Sequence, residues 1–181
     1  MIDPAEKSTE GSTVACAEVV PGVFLDSRLA LFHEEEKWLA LSDLHFGYEV
    51  SRRVDGGLWP LWGMDSIRDR LRALVETWKP ESLILVGDIV DSHAAPREAL
   101  EWLSEIHELC PKLILVEGNH DRGQVKRHFP FVPSHLEGSH FFHHGHEDRE
   151  VAASIEITGH LHPSTRFSDG AGTSLKLPTF T

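Results

Sequence analysis

The chain has 181 residues, 40% of them hydrophobic, and a formal net charge of −12 from 29 acidic against 17 basic residues. A length of this order supports one globular domain whose core needs no disulfide, and the acidic balance excludes a basic surface that wraps long stretches of nucleic acid. A nucleic-acid substrate stays open, because bound divalent cations make an active site locally positive whatever the net charge.

Cys16 and Cys110 form neither a disulfide framework nor a thiolate zinc site. No window approaches the roughly 18 apolar residues of a membrane span, and the first twenty residues lack a basic region followed by an apolar run. A soluble protein of the reducing cytoplasm, with no membrane partner, is expected.

Residues 1–17 are polar and aperiodic and read as a disordered arm, leaving 18–181 as the folded domain. Strand-like runs follow at Leu29–Phe32 and Trp38–Leu41. Between Met64 and Trp78, Ile67, Leu71, Leu74, Val75 and Trp78 recur at spacings of three and four and predict a helix that Lys79-Pro80 stops. A strand at Leu83–Val86 precedes a second helix from Pro96 to Leu109, with Pro96 in its first turn and Leu100, Leu103 and Ile106 inward. Further strands are expected at Leu113–Val116, His140–Phe142 and Ile155–Thr158. Strands separated by helices predict an α/β fold with its site on the loops at the carboxyl ends of the strands.

Five of those loops carry polar ligand types: Ser42-Asp43-Leu44-His45, Gly87-Asp88-Ile89-Val90-Asp91, Gly118-Asn119-His120-Asp121, His143-His144-Gly145-His146 and Gly159-His160-Leu161-His162. Seven of the 13 histidines lie in them. Mixed carboxylate, amide and imidazole donors suit manganese, iron, zinc, cobalt or nickel better than calcium or magnesium. Two cations about 3.5–4 Å apart can clamp a phosphate ester during in-line attack by water, which calls for a short bridging carboxylate. Asp88, at a strand end after Gly87, is the candidate bridge. Asn119 offers a neutral oxygen, and its neighbour His120 is then free to face the substrate.

In this order the blocks D-x-H, G-D-x-x-D, G-N-H-D, H-G-H and G-H-x-H resemble the calcineurin-like metallophosphoesterase superfamily, from Asp43 to His162. The resemblance implies an α/β fold, a four-layer αββα β-sandwich flanked by helices, and a centre of two divalent metal ions, manganese first, with iron or zinc as alternatives. Carried over by position, one ion takes Asp43, His45, Asp88 and His162; the other takes Asp88, Asn119, His144 and His160. The same likeness makes His120 the catalytic group that stabilises developing charge or protonates the leaving oxygen, with Asp121 orienting it. Asp91 supports its loop, and His146 lies beside the ligands or against the substrate. The segments Leu25–Leu31, Trp38–Gly47, Gly159–Pro163 and Ser174–Pro178 are similar to a narrower branch, the ligase-associated DNA damage response phosphoesterases. That branch implies a further apolar strand beyond Pro178, so part of the family's C-terminal strands is expected to be lacking.

Plainer readings apply elsewhere. His33, His93, His107, His128, His135 and His140 read as surface or packing residues, with His93 the exception to watch because it follows Asp91. Trp59 and Trp62 read as packing, against a substrate-facing lip, and Arg52, Arg53 and Arg122 as solvated charge. The primary expectation is a metal-dependent phosphodiesterase or nuclease acting on a phosphate ester, nucleic acid among the candidates. The alternatives are a hydrolase of nucleotides, cyclic nucleotides or nucleotide-linked pyrophosphates, and a non-catalytic metal-binding scaffold. The pairing of His120 with Asp121 argues against the scaffold.

Overall fold

The computed structural model describes residues 8–9, 12–13, 15–91, 96–121, 123–150 and 153–181, so His93 and Arg122 lie outside the described residues. Strands β1 (Ser8–Thr9) and β2 (Ser12–Thr13) pair with each other. The main sheet opens as an antiparallel meander of β3 (Cys16–Val20), β4 (Val23–Asp26), β5 (Ala30–His33) and β6 (Trp38–Ser42). It therefore starts at Cys16, two residues inside the stretch read as an arm. Helices α1 (Tyr48–Val54) and α2 (Gly63–Trp78) lead to β7 (Ser82–Val86), α3 (Pro96–Leu109) to β8 (Leu113–Val116), and α4 (Val125–His128) to β9 (Phe131–Val132). The seven strands β3 to β9 lie in sequence order, parallel from β6 onward. A smaller sheet joins β10 (His135–Glu137), β11 (His140–His143) and β12 (Ile155–Thr158), with β11 and β12 parallel, and an exposed hairpin of β13 (Ser164–Ser168) and β14 (Ser174–Pro178) follows.

The central strands read as unbroken apolar runs because both their faces are covered. Alternation sends Leu39, Leu41, Leu83, Leu85 and Leu115 into one core with Leu71 and Leu74 of α2 and Leu103 and Ile106 of α3. Trp38, Ala40, Ile84, Val86 and Val116 face the other way and pack on Phe142 of the smaller sheet. The result is the expected α/β sandwich. In α3 the core position falls to Trp102 rather than Leu100, which is only partly buried: the indole stacks on Phe46 at 4.2 Å, with the rings 3° from parallel. No helix among the described residues is long and apolar enough to cross a membrane.

At the end of α2 Lys79 turns left-handed (φ 47°) with its N–H on the Val75 carbonyl, stopping the helix before Pro80. Beyond β6 and β7 the two chains stay zipped: Asp43 N–H donates to Gly87 O (3.1 Å), His45 N–H to Asp88 O (2.9 Å) and Phe46 N–H to Ile89 O (3.0 Å). This continuation of the ladder fixes the two metal-type loops against each other.

Candidate metal centre

The loops after β6, β7, β8, β11 and β12 meet at one edge of the sandwich. Asp43, His45 and His162 offer ligand atoms within 4.8 Å of one another, as do Asp88, His144 and His160, and a third group joins His45, Asp91 and His120. Asp88 lies between the first two groups, with Oδ2 at 3.9 Å from His45 Nε2 and 3.3 Å from His144 Nε2. Asn119 Oδ1 is 3.2 Å from the same His144 nitrogen. His162 Nε2 is 3.1 Å from Asp43 Oδ1 and 3.4 Å from His45 Nε2. All seven candidate ligands are thus brought to one edge of the sandwich.

The backbone is bent to achieve this. Asp43 (φ 52°), His45 (45°), Asp88 (46°), His160 (68°) and His162 (44°) are all left-handed, a conformation that costs a non-glycine residue about 1 kcal/mol or more. Such strain persists where surrounding structure over-determines it, and functional sites are where it collects. In both D-x-H and H-x-H the two left-handed ligands flank a leucine, buried at Leu44 and exposed at Leu161.

Three glycines are shaved to admit the ligands. A Cβ on Gly87 would overlap the His144 ring, one on Gly118 would overlap Asp88, and one on Gly159 would lie 2.5 Å from Asp43 Oδ2 and 2.9 Å from Ser42 Cβ.

Electrostatics follow from crowding. Burial alone would raise the Asp88 carboxyl, but His144 and the His120 backbone N–H (2.8 Å to Oδ1) hold it at about 2. Burial lowers His45, which favours the neutral imidazole a cation needs. The donor set fits divalent transition metals: two carboxylates, an amide oxygen and four imidazoles converge, and the Nδ1 atom of His45 is buried without a hydrogen bond.

Asp121 directs its carboxylate at backbone N–H groups. Its Oδ1 accepts the N–H groups of Ile89 (2.9 Å) and Val90 (3.0 Å), and its Oδ2 that of Gly118 (2.9 Å), so it ties the β7 loop to the β8 loop. Burial raises it to about 6 despite these bonds. The carboxylate grouped with His120 is that of Asp91, itself held by a short hydrogen bond from the Ser51 hydroxyl of α1. His146 lies with its ring centroid 5.2 Å from that of His144 and 6.3 Å from that of His160. His143 turns away and meets Glu156 at 2.5 Å.

Trp59 and Trp62 do not pack in the core. Trp62 is 74% exposed and Trp59 is half exposed, and the Trp59 ring meets Tyr48 edge-on at 5.8 Å, with Tyr48 in turn 6.5 Å from His45. Arg52 lies over the Tyr48 ring at 4.9 Å and Arg53 Nε donates to Trp59 O at 2.6 Å. This aromatic rim escapes a sequence reading because Trp-Pro-Leu-Trp beside a helix start is equally the signature of a packed corner. A mostly apolar cleft of about 710 Å³ opens on the other side, touching Asp43 and His162 and walled by Val20, Leu25, Leu31 and Ile157.

Fold and site together define a metal-dependent phosphoric ester hydrolase. The family model of the calcineurin-like phosphoesterases matches residues 37–171, and the chain belongs to that family. No curated protein sequence matches it. Among solved structures it is similar to the Pseudomonas putida nuclease MPE, with 22% identity and a TM-score of 0.60 over 86% of this chain and 73% of that one.

Proposed function

We propose that the enzyme is a dinuclear phosphodiesterase of nuclease type, in the ligase-associated DNA damage response branch, working with two manganese ions in the cytoplasm. The observation that carries the reading is the placing of Asp88 between two converging ligand sets. Asp43, His45, Asp88 and His162 would hold one cation, and Asp88, Asn119, His144 and His160 the other. Bound there, the cations supply positive charge for the phosphate oxygens and lower the pKa of an attacking water.

The chain's own groups do the rest. The His120 ring, 5.2 Å from that of His45, reaches the substrate side of the site and donates its N–H to the ester as charge develops or the leaving oxygen departs. Asp91, fixed by Ser51, holds that ring in place, while Asp121 keeps the two loops in register. Tyr48 and Trp59 present faces on which an unstacked base can lie, and Arg52 adds positive charge beside them. The structurally similar Pseudomonas putida protein is a nuclease, which supports nucleic acid as the diester.

The test is a turnover panel in manganese with bis-p-nitrophenyl phosphate, p-nitrophenyl phosphate, cyclic nucleotides, and single-stranded and duplex DNA. Diesters and DNA are cleaved at least as well as the monoester. Strong monoesterase activity with no diester or DNA cleavage overturns the nuclease reading, and turnover confined to cyclic nucleotides replaces it with the small-nucleotide reading.

A further inference from the structure

The amino end of β6 carries a second group of metal-type side chains. His33 ends β5, Glu36 lies in the turn between β5 and β6, and His140 opens β11. Their ligand atoms lie within 4.8 Å of one another. Asp43 follows the opposite end of β6, and at about 3.3 Å per residue the five-residue strand from Trp38 to Ser42 separates the two groups.

His140 is the informative residue. It is 3% exposed, and its ring nitrogens face only the Glu36 carboxylate and the Glu137 backbone, with no hydrogen bond of good geometry to either. A buried donor or acceptor left poorly bonded costs up to about 1–3 kcal/mol, so a histidine here is less favourable than a phenylalanine of similar packing. Its Nδ1 is 3.4 Å from Glu36 Oε2, and its ring meets that of His33 edge-on at 4.9 Å. Glu36 is aimed as well as near: Trp38 Nε1 donates to Oε2 at 2.8 Å, and the Gly138 turn between β10 and β11 closes on Oε1 so tightly that a Cβ there would overlap it. An outer donor that fixes a carboxylate in this way is typical of metal ligands. His33 uses Nδ1 to accept the Glu36 backbone N–H (3.1 Å), which fixes its ring beside the carboxylate.

We infer that His33, Glu36 and His140 form a further divalent metal site, separate from the catalytic centre, that takes zinc. Two imidazoles and one carboxylate are borderline ligands that suit zinc in a four-coordinate site completed by water, and the partly exposed Glu36 gives that water access. The site joins the β5–β6 turn of the large sheet to β11 of the small one. Its role is therefore that of a clip between the two sheets, and it adds stability that grows with the logarithm of free zinc once zinc exceeds its Kd.

The test uses the full chain, stripped with chelator and dialysed against zinc, with bound metal counted by mass spectrometry. Variants are His140→Gln and Glu36→Gln; the second keeps the acceptor for Trp38 while removing the charge, and decides the matter should His140→Gln fail to fold. The parent binds one zinc per chain more than either folded variant, and zinc raises its melting temperature by several degrees more than theirs. Both variants retain the parent's manganese-supported turnover. Equal zinc counts in the parent and Glu36→Gln, or equal zinc-induced shifts in melting temperature, overturn the site.

Discussion

Replacing Asp26 by asparagine removes a fully buried charge from a partly buried cluster and should cost the fold about 3 kcal/mol. Asp26 ends β4 with no exposed surface; its Oδ1 accepts Arg28 N–H and Nε (2.8 Å each) and its Oδ2 accepts Arg28 Nη2 (2.6 Å) and Trp78 Nε1 of α2 (2.8 Å). Either rotamer of the asparagine amide turns its NH₂ toward two of these donors. Breaking a buried pair costs roughly 3–5 kcal/mol, and the 19% exposure of Arg28 places this case at the lower end. For a domain of this size that corresponds to a fall of about 6–12 °C in melting temperature.

The pH dependence has a definite sign. Burial would raise the Asp26 carboxyl, but the Arg28 and Trp78 hydrogen bonds outweigh it and the folded value lies below the ordinary 3.8. The stabilisation is therefore complete well above that ordinary value and is lost as pH falls through the folded one. Urea unfolding of parent and variant in chelator, from pH 7 to pH 3, reads this directly: the gap is full at neutral pH and narrows in acid. A neutral-pH gap below about 1 kcal/mol, or one that widens in acid, refutes the reasoning.

Three further outcomes follow from the site. Gly159→Ala drives a methyl onto Asp43 and Ser42, so manganese affinity falls by at least tenfold while the thermal melt of the chelated protein changes little; unchanged affinity by titration calorimetry contradicts it. His120→Gln keeps its metals but loses on the order of a hundredfold in rate on a diester with a poor leaving group, measured beside metal content. An emptied site or parental turnover there makes His120 a ligand or a bystander. Trp59→Ala lowers single-stranded DNA cleavage relative to bis-p-nitrophenyl phosphate by about tenfold, the worth of one stacked base, and an unchanged ratio removes the rim from the account.

The parts of the fold legible in the sequence were those whose pattern admits one reading. The runs at Trp38, Leu83 and Leu113 are long, apolar and bounded by turns, and they are the central strands. Cys16–Val20 and Val23–Asp26 carried no such signal, because an edge meander leaves much of its surface open and mixes polar with apolar residues. The Asp26–Arg28 pair, quoted in the sequence only as part of a family likeness, turns out to join β4 to Trp78 at the end of α2. Among the candidate site residues, the ligand types were visible because metal chemistry restricts them, and their order because it resembles the family pattern. That Asp91 also stands by His120 was not: it is 29 positions away in sequence, and a left-handed Asp88 and the zipped loops bring the two together. His33 and His140 were read as packing because nothing in either local sequence reveals that β5 and β11 meet.

The central claim is that two cations share Asp88, and one titration tests it. Chelated protein is titrated with manganese while bound metal and bis-p-nitrophenyl phosphate turnover are followed together, for the parent and for Asp88→Asn. The account predicts that parental activity rises with occupancy and levels off at two ions per chain, and that Asp88→Asn loses tight binding and turnover together. A plateau at one ion, or an Asp88→Asn variant that binds and turns over like the parent, would contradict it.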